Sequence, residues 1–299
     1  MPGRRAMPPP LKIALLTAAA MAAFAANSVL NRLALAGGHV DAVSFTGIRL
    51  LSGAVMLGVI LGVRGHLPGR GRIGGSGAGA LALFGYAIAF SLAYLALGAG
   101  TGALILFAAV QIGMVGWAVF RGERPGLVEW LGFLIAGGFL ALLLAPGLTA
   151  PDPLAALLMA VAGLCWAVYT LIGRGSTTPL IDTAGNFIRC LPVALLLILP
   201  GLLLQTASLA GWGYAIASGA IASGLGYAIW YSVLPALART TAAYVQLTVP
   251  AIAALGGAIF IAEPLTLRLV LCSIGILGGV ALALRAAEAR RRAVGFTKA

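Results

Sequence analysis

The groups in this sequence that could meet a polar solute are amides, phenols and aromatic rings set within apolar stretches. They are Asn27, Tyr86, Phe90, Gln111, Trp166, Tyr169, Asn186, Tyr227, Tyr244 and Gln246. Asn27 with Asn31, and Tyr86 with Phe90, are spaced i, i+4 and share a helix face. Amides and phenol hydroxyls can hydrogen-bond the ammonium and carboxylate groups of a zwitterion without burying a permanent counter-charge. Aromatic faces hold an apolar side chain and attract an ammonium group. Each residue type also has a purely structural use: Asn and Gln glue helices together, and Trp and Tyr form interfacial belts. Trp117, Trp130, Trp212 and Trp230 stand near the ends of apolar runs and read as belt residues.

What is missing from the same stretches narrows the chemistry. The acidic residues Asp41, Glu123, Glu129, Asp152, Asp182, Glu263 and Glu288 all fall at or near the ends of apolar runs, and His39 and His66 fall in connections. General acid–base catalysis and metal binding need such groups around a shared pocket, so the pattern argues against an enzyme and implies neither metal nor cofactor. A proton relay halfway through a membrane would need them too. Cys165, Cys190 and Cys272 lie within apolar runs without CxxC spacing and read as buried small side chains.

The elements that must position these residues are membrane helices. Of 299 residues, 61% are hydrophobic and 9% charged, against about 25% charged in a soluble protein. Apolar runs of the length that crosses a hydrocarbon core of about 30 Å occupy 11–36, 41–62, 78–97, 101–120, 127–146, 153–173, 183–204, 211–233, 241–261 and 266–286. The longest connection, about 63 to 77, is rich in Gly and Arg and has no apolar period of its own. Ten helices leave no room for a soluble catalytic domain. Unbroken runs also exclude a β-barrel, whose strands alternate in polarity.

The formal net charge of +12 reports orientation. With a cytoplasmic N-terminus, all of the 19 Lys and Arg except Arg32, Arg49, Arg189 and Arg268 fall on the inner side. The positive-inside rule then places both termini in the cytoplasm, and no nucleic-acid partner is implied. The tail residues Arg290, Arg291 and Arg292 are suited to anionic lipid. Arg4, Arg5 and the first apolar run resemble a cleavable signal, but residues 24–32 align with 166–174, so cleavage would remove part of a structural unit.

That alignment extends along the chain at an offset of about 140 residues. Arg49 matches Arg189; Gly85-Tyr86-Ala87-Ile88 matches Gly226-Tyr227-Ala228-Ile229; Glu123 matches Glu263. The chain therefore reads as two five-helix repeats, 1–148 and 149–299. Because five is odd, the second copy is inverted relative to the first. Oppositely oriented halves around one central cavity are the architecture of a transporter. Pro250, which lacks an N–H and crowds the carbonyl of Gln246, is the expected hinge, and Pro192 acts likewise on Ile188. Arg49, Arg189, Glu123 and Glu263 are the expected gate or hinge charges. Gly275 with Gly279, and Gly219 with Ser223, are spaced for close helix contacts, within the chain or in a dimer.

Several motifs resemble the drug/metabolite transporter superfamily, in particular its ten-helix EamA-type members. They are Asn31-Arg32, Cys165-Trp166-Ala167-Val168-Tyr169, Arg49, Arg189, Gly122-Glu123-Arg124 before Trp130-Leu131-Gly132, and Ala262-Glu263-Pro264-Leu265. The resemblance spans about Leu11 to Arg285 and looks closest to the aromatic amino-acid exporter branch. It implies a bacterial inner-membrane exporter of amino acids and related metabolites. One departure is Val110-Gln111-Ile112, where the family often has Pro in the fourth helix; Pro250 keeps that feature in the ninth helix alone. The expected mode is facilitated transport or exchange by alternating access, as a monomer or homodimer. Multidrug or nucleotide-sugar carriage, and a membrane-embedded lipid-modifying enzyme or assembly factor, are the alternatives.

Overall fold

A computed structural model describes residues 10–65, 73–147, 150–237 and 239–296. Arg4, Arg5, His66, Arg70, Arg72, Lys298 and the rest of 66–72 in the Gly- and Arg-rich connection lie outside the described residues. Every regular element among the described residues is helical.

The first six apolar runs become α1 (Pro10–Ala36), α2 (Ala42–Val63), α3 (Gly77–Ala93), α4 (Ala99–Phe120), α5 (Leu127–Leu144) and α6 (Pro153–Gly173). Their starts follow capping chemistry. Asp41, Ser76 and Asp152 are N-caps that accept the backbone N–H groups of Ser44, Gly79 and Ala155 at 2.8, 3.0 and 2.7 Å. α3 stops short of its apolar run for a local reason: Arg32 donates to the carbonyls of Tyr94 and Leu95, both at 3.2 Å, where a further turn would have used them.

The second half is more interrupted. α7 (Pro179–Arg189) and α8 (Leu191–Leu203) meet at a bend of 51°. Pro192, in the first turn of α8, has no N–H to offer the Ile188 carbonyl, as its place in the sequence predicts. α9 (Leu209–Ile216) runs through a π-helical stretch, Ala217–Leu225, into α10 (Gly226–Val233). α11 (Arg239–Gln246) ends at a turn, and α12 (Val249–Ile261) begins just before Pro250. α13 (Leu267–Phe296) completes the chain.

Eight helical stretches among the described residues are long and apolar enough to cross a bilayer, or nine with the bent α7–α8 pair. α3, with 17 residues, is the shorter apolar helix beside them. Large apolar side chains such as Leu134, Leu196, Ile259 and Ile274 lie exposed on the outside of the bundle, as a lipid-facing surface requires.

α1 packs on α12 and on the α9–α10 element, α6 on α3 and α4, and α2 on α8 and the π stretch. α5 pairs with α13. Glycine makes two of these contacts. A Cβ on Gly279 would stand 2.6 Å from the Gly132 carbonyl oxygen, so α5 and α13 touch backbone to backbone. A Cβ on Gly219 would stand 2.1 Å from the Arg49 carbonyl oxygen, which seats the π stretch against α2. The small-residue spacings found in the sequence are thus spent on contacts within the chain.

Candidate functional site

α6, α7 and α10 surround a cavity of ≈ 520 Å³ that opens beside the α6–α7 turn. Its walls carry Trp166, Tyr169, Thr170, Asp182, Thr183, Asn186, Tyr227, Trp230 and Tyr231, with Phe24 from α1, Ser76 from the α2–α3 connection and Gln246 from α11. The aromatic part is layered. Trp166 stacks on Tyr169 at 5.2 Å between ring centroids and on Tyr227 at 5.7 Å. Tyr86 lies 4.8 Å from Trp166, and Phe90 lies 5.2 Å from Tyr86. Phe24 closes the other side, 5.7 Å from Tyr227 and 6.0 Å from Trp230.

A polar seam crosses this aromatic layer. The Tyr169 hydroxyl donates to Thr183 Oγ1 at 3.1 Å, and the Thr183 hydroxyl donates to the Tyr231 hydroxyl at 3.3 Å. Asn186 donates from Nδ2 to the Tyr169 hydroxyl at 3.5 Å and accepts the Ser76 N–H at 2.9 Å. Asp182 accepts the Gly75 N–H at 2.9 Å and the Ser176 hydroxyl. The α2–α3 connection is therefore held to α7 by two side chains, with Arg189 adding a bond to the Ile73 carbonyl at 3.1 Å.

Five residues expected from sequence come together on the walls: Trp166, Tyr169, Asn186, Tyr227 and Gln246. Tyr86 and Phe90 stand in the aromatic layer behind them. Three do not join. Asn27 is buried among helices, its Oδ1 accepting the Ser218 hydroxyl at 2.8 Å and thus tying α1 to the π stretch. Tyr244 donates to the Ala281 carbonyl of α13 at 3.4 Å. Gln111 is half-buried on α4, away from the walls. Trp230, expected in an interfacial belt, is instead buried on the wall, because α10 leans inward against α1. Phe24, Thr183, Asp182 and Tyr231 are wall residues that the sequence reading passed over. Tyr231 had a signal, since it matches Phe90 in the repeat; Asp182 was set aside as a helix-end group.

The expected gate charges differ among themselves. Arg49 is 2% exposed, whereas Arg189 is exposed at the C-terminal end of α7, so the repeat pair is not equivalent in space. Arg49 Nη2 donates to the Tyr86 hydroxyl at 3.0 Å, and its Cζ lies 5.2 and 5.1 Å from the Tyr86 and Phe90 ring centroids. Glu263 makes a latch at the end of the bundle away from the cavity mouth. One carboxylate oxygen accepts Arg32 Nε at 2.9 Å, and the other accepts the Ala99 N–H at the start of α4 at 2.7 Å. α1, the α3–α4 turn and the α12–α13 turn are joined there. Glu123 is exposed. Pro250 is buried beside the α11–α12 break, where the Leu247 and Thr248 N–H groups bond only three residues back, to Tyr244 and Val245.

The latched end carries a second tie between distant segments. Asp41 accepts the Thr206 hydroxyl at 2.7 Å, and the Ser208 N–H donates to the His39 carbonyl at 2.8 Å. Burial alone would raise the Asp41 carboxyl, but the hydrogen bonds from Ser44 and Thr206 together outweigh it and hold the group below its ordinary value.

The bundle thus carries an ion-paired cluster around Glu263 at one end and an aromatic cavity beside the α6–α7 turn at the other. Residues 153–285 match the EamA-like transporter family. An uncharacterized protein of Pseudomonas aeruginosa, PA1977, is 51% identical over 286 residues, covering 95% of this chain and 96% of that one. An EamA-like transporter domain is thus present in the second half of the chain. A solved crystal structure shares the fold, with a TM-score of 0.58 and 20% identity over 89% of this chain and 98% of that chain. EamA-like proteins are transporters rather than enzymes, and the domain implies a bilayer and a small-molecule substrate. The family match covers the segment that supplies most of the cavity wall, from α6 through α10.

Proposed function

We propose that the chain exports amino acids, aromatic and neutral ones among them, and related small metabolites across the bacterial inner membrane. It does so by alternating access, with both termini cytoplasmic. The observation that carries this reading is the aromatic cavity beside the α6–α7 turn, with the Arg32–Glu263 ion pair at the opposite end of the bundle. Ten crossings follow if α3 and the bent α7–α8 pair each count as one.

The inverted repeat is supported by reciprocal packing. α6 lies against α3 and α4; its counterpart α1 lies against α9–α10 and α12. The latch has a counterpart as well. Arg32 matches Arg174, and Glu263 matches Glu123. Arg174 and Glu123 are both exposed, and Arg174 stands at the cavity mouth. In this reading Arg174 and Glu123 close the mouth when Arg32 and Glu263 part.

Stacked Trp166, Tyr169 and Tyr227 supply faces for an aromatic or aliphatic side chain, while Asn186, Gln246 and the Thr183 hydroxyl supply hydrogen bonds. Asp182, the carboxylate on the wall, sits at the mouth and is already hydrogen-bonded. That favours facilitated transport or exchange over a proton relay. The test is efflux and counterflow of a panel of amino acids from proteoliposomes. Trans-stimulated exchange without a pH gradient is expected. Transport confined to bulky cationic drugs or nucleotide sugars, or wholly dependent on a pH gradient, would refute the corresponding part.

A further inference from the structure

Among the described residues Arg49 is the fully buried arginine, and no carboxylate pairs with it. It sits two turns into α2 and is 2% exposed. Arginine stays charged in proteins, and a cation in a membrane interior pairs with an anion or faces a water-filled path. The carboxylates that pair with arginine here, Glu263 and Glu129, are held by Arg32 and Arg290. Arg49 has the Tyr86 hydroxyl on Nη2 and the Tyr86 and Phe90 rings beside it. Its Nη1 is buried with no hydrogen-bond partner. Aromatic rings replace only part of what water would give a guanidinium, and Nη1 lacks even that exchange.

Contacts link this orphan donor to the cavity wall. Tyr86, which holds Arg49, contacts Trp166 at 4.8 Å, and Trp166 is a wall residue. One aromatic layer thus separates the guanidinium from the space a substrate occupies. A rotation of Trp166 away from Tyr86 would expose both Nη1 and the Tyr86 hydroxyl, whose oxygen accepts from Arg49 and whose proton remains to be given. Two donors side by side match the two oxygens of a carboxylate. A phosphate would bring more charge and more oxygen atoms than these two donors can satisfy.

Resting on the export reading above, we propose that Arg49 is the carboxylate receptor of the substrate site. It selects small carboxylate-bearing molecules, reached through the Tyr86–Trp166 layer, and is not a gate charge. The substrate's apolar part then lies among Trp166, Tyr227 and Phe24.

The experiment measures binding to the purified full chain by calorimetry, using four probes that share one ring: phenylalanine, phenylacetate, phenethylamine and phenyl phosphate. Phenylalanine and phenylacetate are expected to bind at least tenfold more tightly than phenethylamine, with phenyl phosphate no tighter than phenylacetate. Arg49→Met is expected to erase that preference and Arg49→Lys to retain part of it. Equal binding of phenethylamine and phenylalanine, tightest binding of phenyl phosphate, or binding of none of the carboxylates overturns the proposal. These comparisons are made in the unsubstituted protein, so a variant that fails to fold does not rescue it. A chain that binds carboxylates through Arg49 yet moves no amino acid across a vesicle fails the export reading and keeps this one.

Discussion

Replacing Glu263 by Gln should unlock the sealed end of the bundle. Glu263 accepts two charge-assisted hydrogen bonds, from Arg32 at 2.9 Å and from the Ala99 N–H at 2.7 Å, and the Arg32 and Glu263 side chains are 21% and 18% exposed. Bonds to charged groups are worth about 1.5–3 kcal/mol each when shielded from water, and the residual exposure places this pair toward the lower limit. Gln keeps a carbonyl oxygen for Ala99, so the net loss is the ionic part, about 2 kcal/mol. At about 1.4 kcal/mol per tenfold, the latched state loses a factor of roughly 30 relative to the unlatched one. A cysteine in place of Ala103, buried on α4 a turn below the latch, reports this through its labelling by a membrane-impermeant thiol reagent applied from the latched side. Labelling should accelerate about 30-fold in the variant, and a charge swap, Arg32→Glu with Glu263→Arg, should restore much of the protection. Unchanged labelling would refute the latch. Glu123→Gln in the same background should leave labelling slow, because its pair closes the opposite end.

Three further outcomes follow from particular contacts. Pro192→Ala should alter transport rates more than Pro250→Ala, because the 51° bend lies at Pro192; equal effects in vesicle efflux would contradict the bend as the larger hinge. Asp41→Ala should cost about 1–2 kcal/mol at pH 7, from the lost cap and the lost Thr206 bond. The folded carboxyl lies below the unfolded value of 3.8, so this stabilisation is present above 3.8 and fades as pH falls through the folded value. The melting difference from the unsubstituted protein should therefore shrink by pH 3, and a difference unchanged there would sink the argument. Gly279→Val should destabilise the chain by at least about 1–3 kcal/mol through collision with the Gly132 carbonyl. Because that contact is internal, cross-linking should show no change in oligomeric state.

How much was legible in the sequence can be judged from particular residues. Membrane helices were legible because hydrocarbon demands long apolar runs. The aromatic site was half legible: Trp166, Tyr169 and Tyr227 stand out as deep polar-tipped rings, and Tyr86 with Phe90 as a helical pair. Asn27 and Tyr244 looked equally suitable and proved to be helix-to-helix bonds. A polar side chain in an apolar run shows that it needs a partner; it does not say whether that partner is another helix or a ligand.

The amino-acid order by itself determined that the chain is a series of long apolar helices suited to a bilayer. That follows from local physics: the length and hydropathy of each run along one chain. Only the tertiary structure decided which of two matched arginines is buried without an anion and which lies in the open. It also decided which glutamate holds a latch, and that Trp230 faces a cavity. Those outcomes depend on which helices meet across distances of 100 residues or more in the chain, as Arg32 and Glu263 do, and the periodicity of a single segment carries no record of its neighbours.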